Sequence, residues 1–483
     1  MATDDFFRAR LDQMIDLRHP LAVLAQRLPW TQIEAALAPA FAHRPRPGKV
    51  LADCDLFGTS LELAGAAPSP AGRPRLPIRL MVALLYLKHA FNLSDEAVVE
   101  RWSQDVVWQY FSGQDYYTPK LPCDPTQLGR FRKAIGEAGV EEVLKATIDT
   151  AVAIKAVRPT EFERVIVDTT VQEKAIAHPT DSRLLDVARM QLVRLVKRAG
   201  IALKQTYARE GKALRRKAGG YAHARQFKRL RRTLRRQRTI LGIVMRDIRR
   251  KLDGATAVPA ALMQQLQTML ARAERIHTQR PKDKDKLYAL HAPEAECISK
   301  GKARNPYEFG VKASVATTHK SGLVVGTRTF PGNPYDGHVL REQIEQSTIL
   351  LEDIGVVPKQ AVVDLGFRGV DEDNPGIEII HRGKHKSLTA PQRRWLRRRQ
   401  AIEPVIGHLK SDHRMDRCWL HGELGDALHA VLCGAGYNLR WLMRAVQRLG
   451  LKAVLLRLQL GAMLRAISRL APTRDGNRSL IVG

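Results

Sequence analysis

The stretch that decides the fold is Arg164-Val165-Ile166-Val167-Asp168, a short β-branched run that ends in an acidic residue. An unbroken run of β-branched apolar residues predicts a buried strand. Gln360-Ala361-Val362-Val363-Asp364 repeats the pattern and is followed by Leu365-Gly366. An acid at the carboxyl end of a buried strand faces the crevice where open α/β sheets bind ligands. We therefore expect Asp168 and Asp364 to share one site.

Further strand patterns lie between and after these two stretches. Apolar residues alternate with polar or small ones over residues 309–315, which predicts a strand. Residues 318–322 can turn the chain, and residues 323–330 then form the return strand of a hairpin. Residues 377–380 are a last short apolar run. The sheet-forming segments thus lie on both sides of a long stretch without strand character.

The charge balance indicates a polyanionic partner. The 483 residues include 79 Lys and Arg against 49 Asp and Glu, a net charge of +30. Such a surplus most simply indicates nucleic acid; a membrane surface is the alternative, but no lipidation signal or amphipathic anchor stands out. Residues 1–5 lack a signal peptide, and the longest apolar run, 80–87, is far shorter than the roughly 18 residues of a membrane span. We expect a cytoplasmic protein without membrane contact.

Two thirds of the excess charge lies in one helical segment. Residues 189–251 hold 22 Lys and Arg but only two acids. Within it, a heptad seam over 227–248 predicts a long amphipathic helix that pairs with another helix, either in the same chain or in a second copy. A charge run is usually a solvated face, but this imbalance favours phosphate contact. The predicted DNA contacts here are Arg229, Arg232 and Arg236.

A second basic helix lies near the N-terminus. Asp124-Pro125-Thr126-Gln127 combines a cap, a first-turn proline and a polar N3 residue, so it predicts a helix start. The basic residues that follow are Arg130, Arg132 and Lys133. They suit a recognition helix that contacts DNA, although a surface helix with solvated charges explains them equally well.

A third acid is expected from a late helix. Arg399, Glu403 and Lys410 share one face of an unbroken helix, so a metal-binding carboxylate would lie between two phosphate-binding cations. Pro404 is the residue that would kink this helix. Strand-terminal carboxylates suit Mg²⁺, which prefers oxygen ligands.

Two further groups of residues have competing interpretations. A zinc site is the alternative metal hypothesis, but its candidate ligands lack a standard spacing. Those candidates are the pair His381 and His385, or the set His408, His413, Cys418 and His421. Asp336-Gly337-His338 either lines the site or forms a turn, and Asp-Gly chemistry favours the turn.

Five stretches of the sequence resemble the DDE transposases of bacterial insertion sequences, in the group with a Y-x2-R-x3-E-x6-K signature. The stretches are Val167-Asp168-Thr169-Thr170, Tyr307-Glu308-Phe309-Gly310-Val311-Lys312, Gly332-Asn333-Pro334-Tyr335-Asp336-Gly337-His338, Val363-Asp364-Leu365-Gly366-Phe367-Arg368-Gly369 and Ala401-Ile402-Glu403-Pro404-Val405-Ile406-Gly407-His408-Leu409-Lys410. The helical region 76–136 is similar to that group's DNA-binding region. One departure is Leu396, which stands where the signature has Tyr, with Trp395 adjacent.

The resemblance implies an α/β fold with an RNase H-like catalytic core, a mixed five-stranded sheet with helices. Asp168 would end its first strand, Asp364 would end its fourth, and Glu403 would lie on a late helix. The implied organisation is a helical N-terminal segment and linker (1–75), a helical DNA-binding domain (76–150), the first part of the core (160–182), a basic helical insertion (183–285), the second part of the core (300–424) and a C-terminal helical segment (425–483).

The resemblance also implies the activity. Asp168, Asp364 and Glu403 would bind two Mg²⁺ ions, with Mn²⁺ as a substitute, and Arg399 and Lys410 would contact phosphates. The partners would be double-stranded DNA at the transposon ends and at the target, with a homodimer on DNA in the bacterial nucleoid. Two alternatives stay open: a structure-specific nuclease on the same core without strand transfer, and a non-catalytic DNA-binding relative.

Overall fold

A computed structural model describes residues 9–41, 75–253, 258–299 and 306–470, with side chains as far as residue 450. Most of the predicted linker before residue 76 therefore lies outside the described residues. The chain divides into two compact units. The helical unit comprises Met1–Glu161, Asp353–Gly355 and Ala435–Gly483, and the sheet unit comprises Phe162–Glu352 and Val356–Gly434. The unit boundary falls inside the last helix.

Where the structure describes it, the helical unit contains seven α-helices before its first boundary. They are α1 (Leu11–Met14), α2 (Pro20–Arg27), α3 (Trp30–Leu37), α4 (Ile78–Ala90), α5 (Asp95–Gln104), α6 (Val106–Phe111) and α7 (Pro125–Ala153). Asp124 caps α7 as expected, since its side chain accepts from the backbone N–H of Thr126. The helix changes direction at Gly136, whose φ of 63° is readily adopted only by glycine. The core of the unit is aromatic: Trp30 packs edge-on against Tyr86 and Phe111.

The sheet unit is built on a mixed sheet of six strands among the described residues. The strands are β1 (Arg164–Glu173), β2 (Glu296–Ser299), β3 (Tyr307–Thr318), β4 (Val324–Phe330), β5 (Gln360–Val362) and β6 (Glu378–Ile380). The strand order is β2-β3-β1-β5-β6, and β4 also pairs with β3. β1 is antiparallel to β3 and parallel to β5, so the sheet is an α/β arrangement of mixed direction.

The sixth strand was not expected, since the resemblance implied five. β2 pairs with Tyr307–Gly310, the first residues of β3, whereas β4 pairs with residues 312–317. β3 has twelve residues and β4 only seven. The short β2 therefore supplies hydrogen-bond partners to the part of β3 that β4 does not reach, which would otherwise be an open sheet edge.

β1 also differs from the prediction, because Asp168 does not end it. The strand continues for five more residues to Glu173, since its antiparallel pairing with β3 extends from Val165 to Glu173. Its parallel pairing with β5 is much shorter and stops at Ile166. Asp168 therefore lies where the parallel neighbour has ended but the strand itself has not.

The insertion between β1 and β2 is a helical bundle. Its helices are α8 (Asp181–Arg198), α9 (Ala208–His223), α10 (Phe227–Leu252) and α11 (Ala260–Thr278). Residues Leu241, Val244 and Ile248 of the predicted seam are fully buried against apolar residues of α8 and α11. The second half of the seam is thus covered within the chain, whereas Phe227 at its start is 58 % exposed. Of the two explanations left open, intramolecular packing is the one that the structure contains.

Four further helices complete the described chain. They are α12 (Leu340–Leu350), α13 (Ala390–Arg398), α14 (Ile402–Ser411) and α15 (Gly422–Leu470). α13 begins with a capping box in which Thr389 and Gln392 bond each other's backbone. Ile402 and Leu396 pack with Ile166 and Val362 of the sheet, so α13 and α14 lie against β1 and β5. This packing places the late helices beside the two strand-associated aspartates.

Candidate functional site

The sheet register brings the two predicted aspartates to matching positions. The last pair of the parallel ladder between β1 and β5 is Ile166 with Val362. Asp168 lies two residues beyond Ile166, and Asp364 lies two residues beyond Val362. The two aspartates therefore lie at the same end of two neighbouring strand segments. Both side chains are partly exposed. The structure therefore places these two carboxylates at the same end of the β1–β5 pair, as the sequence predicted, although only β5 actually ends there.

Asp364 is held by the turn that follows β5. Its Oδ1 accepts a hydrogen bond of 2.8 Å from the backbone N–H of Gly366, at the start of a 3₁₀ helix over Leu365–Phe367. A Cβ atom at residue 366 would lie 3.0 Å from Asp364 Oδ1 and 3.0 Å from Asp336 Oδ2. Glycine at this position leaves room for the two carboxylates to converge.

Glu403 reaches the same site through Arg399. One Nη of Arg399 contacts Asp168 Oδ2 at 3.1 Å, and the other contacts Glu403 Oε1 at 3.5 Å. The Arg399 side chain is 17 % exposed, whereas that of Glu403 is 61 % exposed. Arg399 lies in the 3₁₀ turn that precedes α14, so the helix is not unbroken as the sequence predicted, but Arg399 and Glu403 are still in contact. Arg399 thus lies between the first and third predicted carboxylates and offsets their charge.

Pro404 does not break this arrangement. α14 begins at Ile402 after a 3₁₀ turn over Arg399–Ala401, which places Pro404 in the first turn of the helix. A proline there removes no helical hydrogen bond, because first-turn N–H groups have no partner within the helix. Leu396, at the position of the signature tyrosine, is buried in the core, and the neighbouring Trp395 ring lies beneath the Arg164 guanidinium.

Lys410 was predicted to bind phosphate beside the site, and in the structure its ammonium is paired with two glutamates. Its Nζ contacts Glu308 at 3.0 Å and Glu173 at 3.6 Å, and the side chain is 19 % exposed. Glu173 lies five residues beyond Asp168 on β1, which is about 17 Å along a strand. Burial raises the pKa of Glu173, against the opposing effect of Lys410. The charge of Lys410 is thus offset by Glu173, the last residue of β1, and by Glu308.

Asp336 belongs to the site, although the sequence favoured a simple turn. It does start a short helical turn, over Asp336–Val339. Its Oδ1 also accepts hydrogen bonds from Thr169 Oγ1 at 3.0 Å and from Lys312 Nζ at 2.7 Å. Both donors come from strands that are distant in sequence, so local spacing contained no sign of this contact. Thr169 directly follows Asp168, which places Asp336 next to the aspartate pair.

The predicted recognition helix loses one of its three basic residues. Arg132 is 3 % exposed, and its guanidinium makes two hydrogen bonds to Asp95, of 2.8 and 2.5 Å. Lys88 adds a third contact to Asp95 at 2.7 Å. Arg132 is therefore a buried structural residue and not a DNA contact. Arg130 and Lys133 are exposed on the surface of α7.

The basic residues of α10 also differ from one another. Arg229 and Arg232 are exposed, and Arg229 donates to the Gln226 side chain at 3.0 Å. Arg236 instead makes a two-pronged ion pair with Glu210 of α9, at 2.7 and 3.1 Å. Its charge is already offset, so a phosphate would have to displace Glu210.

Among the residues that the structure describes, neither of the two zinc sites that the sequence suggested is assembled. Neither histidine set brings three ligand atoms within 4.8 Å of one another. His381 accepts from the backbone N–H of Gly383, and His408 contacts Asp412 at 2.7 Å. These side chains are engaged in local turns and helix contacts.

The donor chemistry of the site suits a divalent cation with oxygen ligands. Asp168, Asp364 and Glu403 contribute carboxylates, and Asp336 adds a fourth. Within the described residues no three of these groups have oxygens within 4.8 Å of one another, in keeping with Arg399 lying between Asp168 and Glu403. The residues fit a metal by their chemistry, and full coordination requires Arg399 to move. The fold and the site together define a class of protein: an α/β protein whose mixed sheet carries acidic residues that suit metal-dependent phosphate chemistry.

Comparisons with known proteins identify the family. A model described as "Transposase domain (DUF772)" matches residues 55–134, and a "Transposase DDE domain" matches residues 274–439. The second match contains Asp336, Asp364 and Glu403, whereas Asp168 lies outside both. An uncharacterized protein of Rhizobium meliloti, ORF8 in the nfe locus, is 43 % identical over 224 residues, which are 46 % of this chain and 95 % of that protein. No solved structure matches.

The chain belongs to the DDE transposases of insertion sequences. Members of this family are enzymes of DNA transposition that use divalent metal ions, typically Mg²⁺. None of the helices described here is both long and apolar enough to span a membrane.

Proposed function

We propose that the chain binds the terminal repeats of its insertion sequence, cleaves DNA by metal-dependent phosphodiester hydrolysis and joins the freed 3′-hydroxyl to target DNA by transesterification. The observation that carries this proposal is the convergence of Asp168, Asp364 and Glu403. The two aspartates occupy matching positions beyond the last parallel pair, and Arg399 joins Asp168 to Glu403. The strand order β4-β3-β1-β5-β6 supports an RNase H-like core.

In this proposal Asp168, Asp364 and Glu403 hold two Mg²⁺ ions, for which Mn²⁺ can substitute. When bound, the ions supply charge stabilisation at the phosphate and a water of lowered pKa. Asp168 is fixed by a long strand and Asp364 by the turn after β5, so neither carboxylate reorganises greatly during the reaction. Glu403, on an exposed helix face, is the ligand with the most freedom to adjust.

Arg399 has two successive roles in the proposal. Before metal binding it offsets the charges of Asp168 and Glu403, which lie within 3.5 Å of its Nη atoms. Free of these two carboxylates, the guanidinium would be able to bind a DNA phosphate through two parallel hydrogen bonds. The protein then contributes positioning and charge stabilisation, without a covalent intermediate.

The DNA contacts proposed outside the site are Arg130 and Lys133 of α7 and Arg229 and Arg232 of α10, since all four are exposed. In this proposal the bundle of α8 to α11 is a phosphate-binding insertion. We also propose the domain boundaries that the sequence predicts. We also propose a homodimer on DNA, because two transposon ends must be cut and joined together.

Alanine substitution of each carboxylate tests the catalytic set. Changing Asp168, Asp364 or Glu403 to Ala should abolish cleavage of DNA that carries the element's terminal repeats, while binding of the same DNA persists. Asp373→Ala is the matched control, since Asp373 lies in an exposed acidic loop. Strong residual cleavage by any one of the three variants would remove that residue from the set.

A further inference from the structure

We propose that Asp336 is a fourth metal ligand of this site, acting beside Asp364. The inference rests on the proposed function, because it concerns the cation that the same carboxylates would bind. It goes beyond the three acids of the family signature, and it follows from how the two oxygens of Asp336 are used.

Oδ1 of Asp336 is an anchored atom. Thr169 Oγ1 donates to it at 3.0 Å and Lys312 Nζ donates at 2.7 Å. Lys312 is 8 % exposed and also donates to the backbone carbonyl of Pro334, so its position is fixed. The carboxylate of Asp336 is thus held by one residue of β1, Thr169, and one residue of β3, Lys312, without a contribution from Asp364.

Oδ2 of Asp336 lies within about 6 Å of Asp364 Oδ1, because both oxygens are 3.0 Å from one point beside Gly366. Asp336 Oδ2 and Asp364 Oδ1 both lie 3.0 Å from the point where residue 366 would carry a Cβ. Oδ1 of Asp364 accepts a hydrogen bond from the Gly366 N–H, whereas Thr169 and Lys312 both donate to the other oxygen of Asp336, Oδ1. Two like charges brought this close repel each other unless a cation is shared between them.

The charges of the site also fit this assignment. Four carboxylates, those of Asp168, Asp336, Asp364 and Glu403, meet two cations, Arg399 and Lys312. The net charge is −2 with Arg399 in place and −3 once Arg399 moves away, and divalent cations at the site would offset it.

Asp336→Asn is the sharpest test, since asparagine keeps an oxygen for Thr169 and Lys312 and removes the carboxylate charge. Binding of Mn²⁺ to the full chain without DNA would be followed by electron paramagnetic resonance of the free ion. We expect about tenfold weaker binding, the lower end of what loss of a ligand or its support costs at metal sites. Asp373→Asn, in the exposed loop, should bind Mn²⁺ like wild type, and thermal melting should show that every variant folds.

The outcomes separate this inference from the proposed function. If Asp364→Asn weakens Mn²⁺ binding but Asp336→Asn does not, Asp336 is only a structural anchor and the inference fails while the site stands. If neither substitution changes Mn²⁺ binding, the site assignment itself is wrong. Asp336→Glu restores a carboxylate, and Mn²⁺ affinity should return at least partly; no recovery in a folded variant would contradict a ligand role.

Discussion

Replacing Asp95 by Asn should destabilise the helical unit strongly. Asp95 accepts two hydrogen bonds from Arg132 and one from Lys88, over 2.5 to 2.8 Å. The side chains of Arg132 and Lys88 are only 3 % and 10 % exposed. Asparagine is nearly isosteric, so the substitution removes the charge while it leaves the packing in place.

The size of the effect follows from burial and from the pKa of Asp95. Burial acts to raise that pKa, but the hydrogen bonds and charges of Arg132 and Lys88 outweigh it and lower the pKa to about 2, from 3.8. A shift of this size corresponds to about 2 kcal/mol of stability at neutral pH. Removing one partner of a buried ion pair adds the penalty of an uncompensated guanidinium, for a total of about 3–5 kcal/mol.

Urea unfolding followed by tryptophan fluorescence is the assay. Asp115→Asn is the matched control, because Asp115 forms an exposed pair with Arg10 that is worth at most about 1 kcal/mol. The pKa of Asp95 is depressed in the folded state, so its contribution is present above pH 3.8 and is lost as the pH falls towards 2. The difference between wild type and Asp95→Asn should therefore shrink over that range. A loss below about 1 kcal/mol at pH 7, or a difference that does not change with pH, would refute the buried ion pair and return Arg132 to the candidate DNA contacts.

Three further outcomes are expected. Lys410→Met should lower the urea midpoint and leave terminal-repeat binding almost unchanged; a specific loss of DNA affinity in a fully stable variant would restore Lys410 as a phosphate contact. Arg232→Gln should reduce the slope of log affinity against log salt by about 0.9, as for one phosphate contact, and Arg236→Gln should reduce it less because it is already paired; equal slopes would contradict this distinction. Arg399→Gln should bind Mn²⁺ more tightly without DNA and cleave more slowly, and weaker Mn²⁺ binding would show that Arg399 supports the site and does not compete for it.

The strands and the aspartate pair could be predicted because their signals are local. Apolar runs predict β1 and β5, and each run is followed by an aspartate in the sequence. In the structure, each aspartate lies two residues beyond the last parallel pair. The full length of β1 was not visible, because its pairing partner β3 lies over 130 residues later. Local composition indicates that a strand begins, whereas the neighbouring strand decides where it ends.

The contacts of the basic residues also divide into local ones, which the sequence predicts, and long-range ones, which it does not. The Arg399 and Glu403 contact follows from helical spacing, since i and i+4 residues share a face. The partners of Arg132 and Lys410 come from other elements, 37 and 102 residues away. A sequence shows that an arginine or lysine is charged, but only the fold shows whether a buried carboxylate has already taken that charge. At Asp336 the sequence correctly predicted a turn, but it gave no sign of the hydrogen bonds that Asp336 accepts from Thr169 and Lys312.

The central claim is that this site cuts DNA and joins it to a target. The most direct measurement uses DNA with the element's terminal repeats and a target duplex, with Mg²⁺ or EDTA, and compares wild type with Glu403→Gln. We expect metal-dependent release of a 3′-hydroxyl followed by joining to the target, both absent in the variant. Cutting without joining would indicate the nuclease instead. Binding without cutting, even with Mn²⁺ and both ends present, would contradict catalysis and favour a DNA-binding relative.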